Sequence, residues 1–214
     1  MSAQRPIVIE AEVDPREHPA MIAAAQQLAE SLHAAGAADW PIRITLHDPN
    51  GLRAVAPDGV GLLSLMAEAE REAPFAETAQ HWRRRAEGLA AEGGAVLMLT
   101  VFRAVPGWRT DAGARARLER IRRLDRMALD LSHDLGVTVV DIDRAFAHIG
   151  ARIAGVDYRL EGRIAAEVAG HTIALGLLSL GLDDILPPEV QERARAFHGP
   201  LSSIDALVRR RLAA

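Results

Sequence analysis

Cysteine does not occur anywhere in the 214 residues, and neither does lysine. The first absence excludes a disulfide scaffold, a thiolate zinc site, an iron–sulfur cluster and thiol catalysis. The second excludes a Schiff-base lysine, a Walker lysine and a lysine general base. Aromatic residues are scarce, at 4%. The longest apolar stretch near the C-terminus, residues 172–182, is only about half a membrane span. No export signal is visible: residues 1–6 are short and polar, and 7–9 are too brief for an apolar signal core. Neither sign of charge dominates, since 25 arginines face 29 acids for a net charge of −4. That balance creates no field favouring nucleic acid or an anionic membrane. The expectation is a soluble, cytoplasmic chain with no nucleic-acid or membrane partner.

What is present suits a globular fold. Hydrophobic residues make up 49% and charged residues 25%, ordinary proportions for such a protein. The length fits one domain, or one domain with an appendage. A β-branched run after Pro6 predicts a strand over 7–13, and residues 42–46 alternate like a half-exposed strand. Residues 95–102 are apolar almost throughout, as in a strand covered on both faces. A last strand is predicted over 137–142. Helical spacing covers 20–35 up to Gly36, then 60–71 and 75–91. A long Arg-rich helix over 111–135 closes at Gly136. Residues 145–153, 160–180, 187–197 and 203–212 read as further helices, and 53–59 as loop. Strands alternating with helices predict a three-layer α/β/α fold with a parallel, flavodoxin-like sheet of four to five strands. Residues 1–182 form the domain in this reading, and 183–214 a short helical appendage packed on it.

Ligands in such folds gather outside the carboxyl ends of the strands. Glu12, Asp14 and His18 follow the first strand, and His47, Asp48 and Asn50 the second. Thr100, Arg103 and Trp108 follow the third. Asp141, Asp143 and Arg144 follow the last, with Asp157 and Tyr158 further on. Each has a plain alternative: Asp14 before Pro15 starts loops or caps helices, residues 47–51 are good turn chemistry, and Asp141 and Asp143 suit a helix cap. No G-x-G-x-x-G follows the first strand, and no P-loop, G-x-S-x-G elbow or H-E-x-x-H occurs. His18, His47 and Asp48 have no specific ligand spacing, so no metal or cofactor is expected. The arginine clusters at 83–85, 115–126 and 209–211 are interleaved with acids. They read as solvated helix faces or an interface for an acidic partner.

The second half of the chain carries a family likeness. Arg122-Arg123-Leu124-Asp125 leads into Leu135-Gly136-Val137-Thr138-Val139-Val140-Asp141-Ile142-Asp143. Asp157-Tyr158-Arg159-Leu160-Glu161-Gly162 then precedes Ala169-Gly170-His171-Thr172-Ile173-Ala174. This resembles the helix, strand, D-x-x-H region and final helix of the SGNH (GDSL-like) hydrolases. The likeness extends by element order over residues 7–182 and in wording over 121–180. It implies an SGNH-like fold and, for the family, ester hydrolysis by a serine that a histidine activates and an aspartate orients. A glycine and an asparagine of later loops help hold the oxyanion.

The chemical positions differ from the family pattern. Ala11-Glu12-Val13-Asp14 stands where G-D-S would, and the next serine, Ser31, falls deep in a helix. Leu99-Thr100-Val101-Phe102-Arg103 replaces G-x-N-D. Leu160 holds the histidine position of D-x-x-H, so only Asp157 carries over. The leading expectation is an SGNH-like protein without serine catalysis that binds a small molecule or a protein partner. One alternative is an active hydrolase or acyltransferase with a rebuilt acid–base site. There Asp14, His47 and Asp157 would be catalytic, and Glu12, His18, Asp48, Asn50 and Arg103 would bind the ligand. The other is an interaction protein, for instance a homodimer, docking through residues 187–214.

Overall fold

The computed structural model describes residues 6–150 and 155–204, together with 206 and 208. Five strands form one all-parallel sheet: β1 (Ile7–Glu12), β2 (Ile42–His47), β3 (Gly59–Ser64), β4 (Ala95–Leu99) and β5 (Thr138–Val140). Their spatial order is β2-β1-β3-β4-β5. Helices α1 (His18–Ala34), α4 (Ile142–Ile149), α5 (Arg163–Gly176) and α6 (Pro188–His198) lie on one side. Helices α2 (Phe75–Ala91) and α3 (Ala112–Leu135) cover the other. This is the three-layer α/β/α arrangement that the alternating pattern predicts.

Alternation along the strands builds the two cores. Ile7, Ile9 and Ala11 of β1 pack with Leu28 and Leu32 of α1 and with Val168 and Ile173 of α5. Leu63, Val96 and Met98 meet Trp82 of α2 and Ile121 and Leu124 of α3 on the opposite face. Asp111 caps α3, its carboxylate accepting from the Ala114 amide at 2.6 Å. Gly136, at φ 72°, ends that helix in the left-handed conformation that glycine adopts without a Cβ penalty. Helices α1 and α5 approach closely at Gly170, where a Cβ would lie 2.7 Å from the Ala23 Cβ and 2.9 Å from the Ala20 carbonyl oxygen. Helix α5 with the π-turn Leu177–Gly181 is long and apolar enough to cross a membrane, yet 67% of it is buried inside this fold. Ala194 of α6, Ile204 and Val208 are buried in the same core as α1.

The helix expected over 60–71 is a correction. Residues 59–64 form the central strand β3, and only Met66–Ala69 turn helically, as a short 3₁₀ segment. Every residue of β3 is buried. A strand covered on both faces loses the alternation that separates it from a helix. Gly61 fits because the Val55 Cγ2 occupies the space its Cβ would take, at 2.6 Å. Helix α4 also begins three residues early, at Ile142, because Asp141 caps it through the Arg144 amide at 2.8 Å. Its predicted end, at 151–153, falls outside the described residues, as does most of the helix predicted over 203–212.

Candidate functional site

The strand order reverses at β1, which lies between β2 and β3. The chain leaves β1 for α1 on one face and leaves β3 for α2 on the other. The two exits diverge and open a crevice at the carboxyl ends, the usual ligand position in open α/β sheets.

Local sequence sets what points into it. Asp14 caps the 3₁₀ turn Pro15–Glu17 in a reciprocal capping box: its carboxylate accepts from the Arg16 amide, and Glu17 accepts from the Asp14 amide at 2.9 Å. The Asp14 carboxylate also holds the Arg16 guanidinium at 2.8 Å. Arg16 donates in turn to Glu70, beyond β3, at 3.2 Å. Glu70 accepts from the Tyr158 hydroxyl as well. Beside Tyr158, Arg159 is paired with Asp157. The Tyr158 amide donates to the Ala104 carbonyl at 2.9 Å, tying this segment to the loop after β4. Loops after β1, β3 and β4 and the approach to α5 are thus joined by one polar network.

Beneath it lies a second pair. Ser64, the last residue of β3, donates its hydroxyl to Glu17 at 2.8 Å and accepts from the Met66 amide at 3.1 Å. Both side chains are buried. Burial pushes the Glu17 carboxyl up to about 7, against the Ser64 hydrogen bond. Burial likewise raises Asp125 of α3 to about 7, although it accepts from the Val101 amide at 2.8 Å. The Arg16 hydrogen bond holds Asp14 below the ordinary carboxylate range. Burial pushes Asp157 up, but its side-chain and backbone bonds from Arg159 outweigh that and keep it low. The Tyr158 hydroxyl lowers Glu70.

Among the expected site residues, Asp14 and Asp157 belong to the same network: Asp14 holds Arg16, which reaches Glu70 and through it Tyr158, the neighbour of Asp157. His18 opens α1 beside Asp14, with its Nε2 buried and without a hydrogen bond. The others lie apart. His47 is bonded to Glu10 on the neighbouring strand at 2.6 Å. Glu12 is buried toward α2, where Arg85 and the Leu52 amide satisfy it. Asp48 accepts from the Gly51 amide, and Asn50 sits at φ 68° in the same turn. Arg103 borders the crevice but is turned to Asp143, its Nε donating at 2.9 Å. Leu160 is buried at φ 54°, a left-handed conformation uncommon for a branched residue. Arg16, Glu17, Ser64 and Glu70 had no part in the sequence reading, though Asp14-x-x-Glu17 is a readable capping-box signature.

Hydroxyl–imidazole pairs do occur, at the other end of the fold. Ser31 in the last turn of α1 lies 3.2 Å from His198 Nδ1, and Ser203 lies 3.5 Å from His171 Nε2. Both hydroxyls donate to carbonyls, Ser31 to Gln27 and Ser203 to Pro200. Each hydroxyl therefore lies between a carbonyl and an imidazole, and Ser31 is only 1% exposed.

At the strand ends, a cleft of about 360 Å³ is lined by residues 104–108 and 155–157, with Pro106, Trp108, Val156 and Asp157 in its wall. Trp108 is 41% exposed, and the Arg109 guanidinium lies 5.1 Å from its ring centroid. Among the described residues, no group of three or more His, Asp or Glu is placed to hold a metal ion.

Sheet order and layers define a three-layer α/β/α fold of the SGNH/flavodoxin-like type. Among solved structures, the chain is similar to an acetyl xylan esterase, AlAXEase. The TM-score is 0.55 and the identity 10%, over 78% of this chain and 98% of that one. At that identity the likeness establishes the fold alone. No protein-family model matches the chain, and no curated protein matches it in sequence.

Proposed function

We propose that this chain keeps an SGNH-like scaffold without its serine-hydrolase chemistry, and that its strand-end crevice binds a small hydroxylated molecule. The observation that carries the reading is the partner of Ser64. The hydroxyl at the crevice is 6% exposed and is held by a carboxyl, with no imidazole bonded to it. Losing a member of a Ser-His-Asp triad costs about four to six orders of magnitude in rate. The arginines there are matched to acids, so the remaining surface of the cleft is the indole of Trp108, its apolar neighbours and Asp157. A sugar ring suits that wall: its C–H face packs on the indole and its hydroxyls donate to the carboxylate. The similar solved structure is named for acetyl xylan, and xylobiose is therefore the probe of choice. Calorimetry is expected to show saturable binding that Trp108→Ala removes, and a fluorophosphonate serine probe is expected to leave the protein unlabelled. Stoichiometric labelling would overturn the reading.

One observation favours a second reading. A carboxyl whose pKa lies near 7 and which is bonded to a serine hydroxyl has the form of a general base and its nucleophile. In that case Glu17 takes the Ser64 proton, and p-nitrophenyl acetate is turned over. Glu17→Gln would then abolish turnover and probe labelling together.

A further inference from the structure

A second cavity, of about 920 Å³, is a groove between α4 and α6. Its size falls within the range of about 300–1,000 Å³ typical of small-ligand sites. Helix spacing creates it. Arg144 and Ala147 stand one turn apart on α4, and Arg195 and Ala196 share one face of α6. Leu175 of α5 and Leu201 complete an apolar lining. The two alanines leave the space that larger side chains would fill.

Charge distinguishes this groove from the crevice. Arg16, Arg103 and Arg159 at the strand ends each hold a carboxylate. Neither Arg144 nor Arg195 has an ion-pair partner among the described residues. Among the described lining residues Glu192 is the one acid, set against the two guanidiniums, with His148 beside them. Guanidinium forks suit carboxylates, and the apolar lining calls for a hydrocarbon body. We infer that the α4–α6 groove binds a small amphipathic monocarboxylate, its head group between Arg144 and Arg195 and its chain along Ala147, Leu175, Ala196 and Leu201.

Calorimetry on the full chain with decanoate, below its micellar concentration, tests this. One equivalent is expected to bind, with decanol at least tenfold weaker. Arg144→Met with Arg195→Met should weaken decanoate at least tenfold. Ala196→Trp, at an exposed helix position, should fill the groove and abolish binding with circular dichroism unchanged. Arg193→Met, on α6 but outside the lining, should bind as the parent does. The inference is overturned by any of three results: no saturable heat, equal affinity for decanol, or a loss in Arg193→Met as large as in the double variant.

Discussion

At the strand ends, the buried ionisable groups are acids: Glu17 and Asp125 both titrate near 7. Where α6 closes over α1 and α5, they are bases. The His171 and His198 rings stack there at 4.0 Å, and the His198 Nε2 donates to the His171 carbonyl at 3.0 Å. Burial, and then the neighbouring His198, lowers His171 to about 4. Burial disfavours the charged form in both places, so the carboxyls keep their protons up to about pH 7 and the His171 imidazole stays neutral down to about pH 4. The two regions therefore respond to pH in opposite directions. They also differ in packing, since arginine–carboxylate bonds tie the crevice together, whereas the region under α6, a clasp of α1 and α5, depends on their close approach at Gly170.

The most damaging test of that contrast is Gly170→Val. Its Cβ would lie within 3.0 Å of the Ala20 and Ala24 backbones, which cannot swing aside as a side chain does. Overpacking typically costs about 1–3 kcal/mol and occasionally more, and this site belongs at the upper end. Urea denaturation should show the loss; a variant as stable as the parent would mean that the clasp is loosely packed.

Titration sharpens the comparison next. His171 is lowered from 6.5 to about 4. The stability it contributes is full above pH 6.5 and is lost as pH falls through 4. Glu17 is raised from 4.5 to about 7. Its contribution is full below pH 4.5 and is lost as pH rises through 7. At about 1.4 kcal/mol per pKa unit, each is worth on the order of 3 kcal/mol. His171→Phe should flatten the acid limb of stability against pH, and Glu17→Gln the alkaline limb. If both variants keep the parent's slopes, these two groups do not set the pH response.

The crevice's polar network was only partly legible. Asp14 could be singled out because it stands where the chain leaves the first strand, and Asp157 because it matches the aspartate of the D-x-x-H pattern. Glu17 was within reach through its spacing from Asp14. Ser64 was not, because finding it requires β3, whose buried run Val60-Gly61-Leu62-Leu63 reads equally as helix. Arg16–Glu70 and Tyr158–Glu70 join residues 54 and 88 positions apart, and a single sequence carries no sign of such pairings. The framework was easier to read. The β-branched start of β1, the cap at Asp111 and the stop at Gly136 are local signals, and local signals survive folding. His47 shows the opposite case. Its place at a strand end was readable, but its bond to Glu10 depends on the register of β1 with β2.

Two smaller effects separate the parts of the crevice itself. Asp14→Ala removes both the cap and the anchor of Arg16, and losing such a cap costs about 0.5–2 kcal/mol. Asp14→Ser restores the cap without the ion pair, so its recovery in thermal unfolding measures the capping share. Arg159→Ala should cost less than about 1 kcal/mol, because its partner pair is partly open to solvent and such bridges contribute little. Its effect should appear instead in ligand binding. Without Arg159, Asp157 keeps its charge and loses its competitor, so xylobiose should bind more tightly to Arg159→Ala than to the parent. Weaker binding would mean that Arg159 itself contacts the ligand, and the sugar would then have to sit over the Arg159–Tyr158 side of the cleft, away from Trp108.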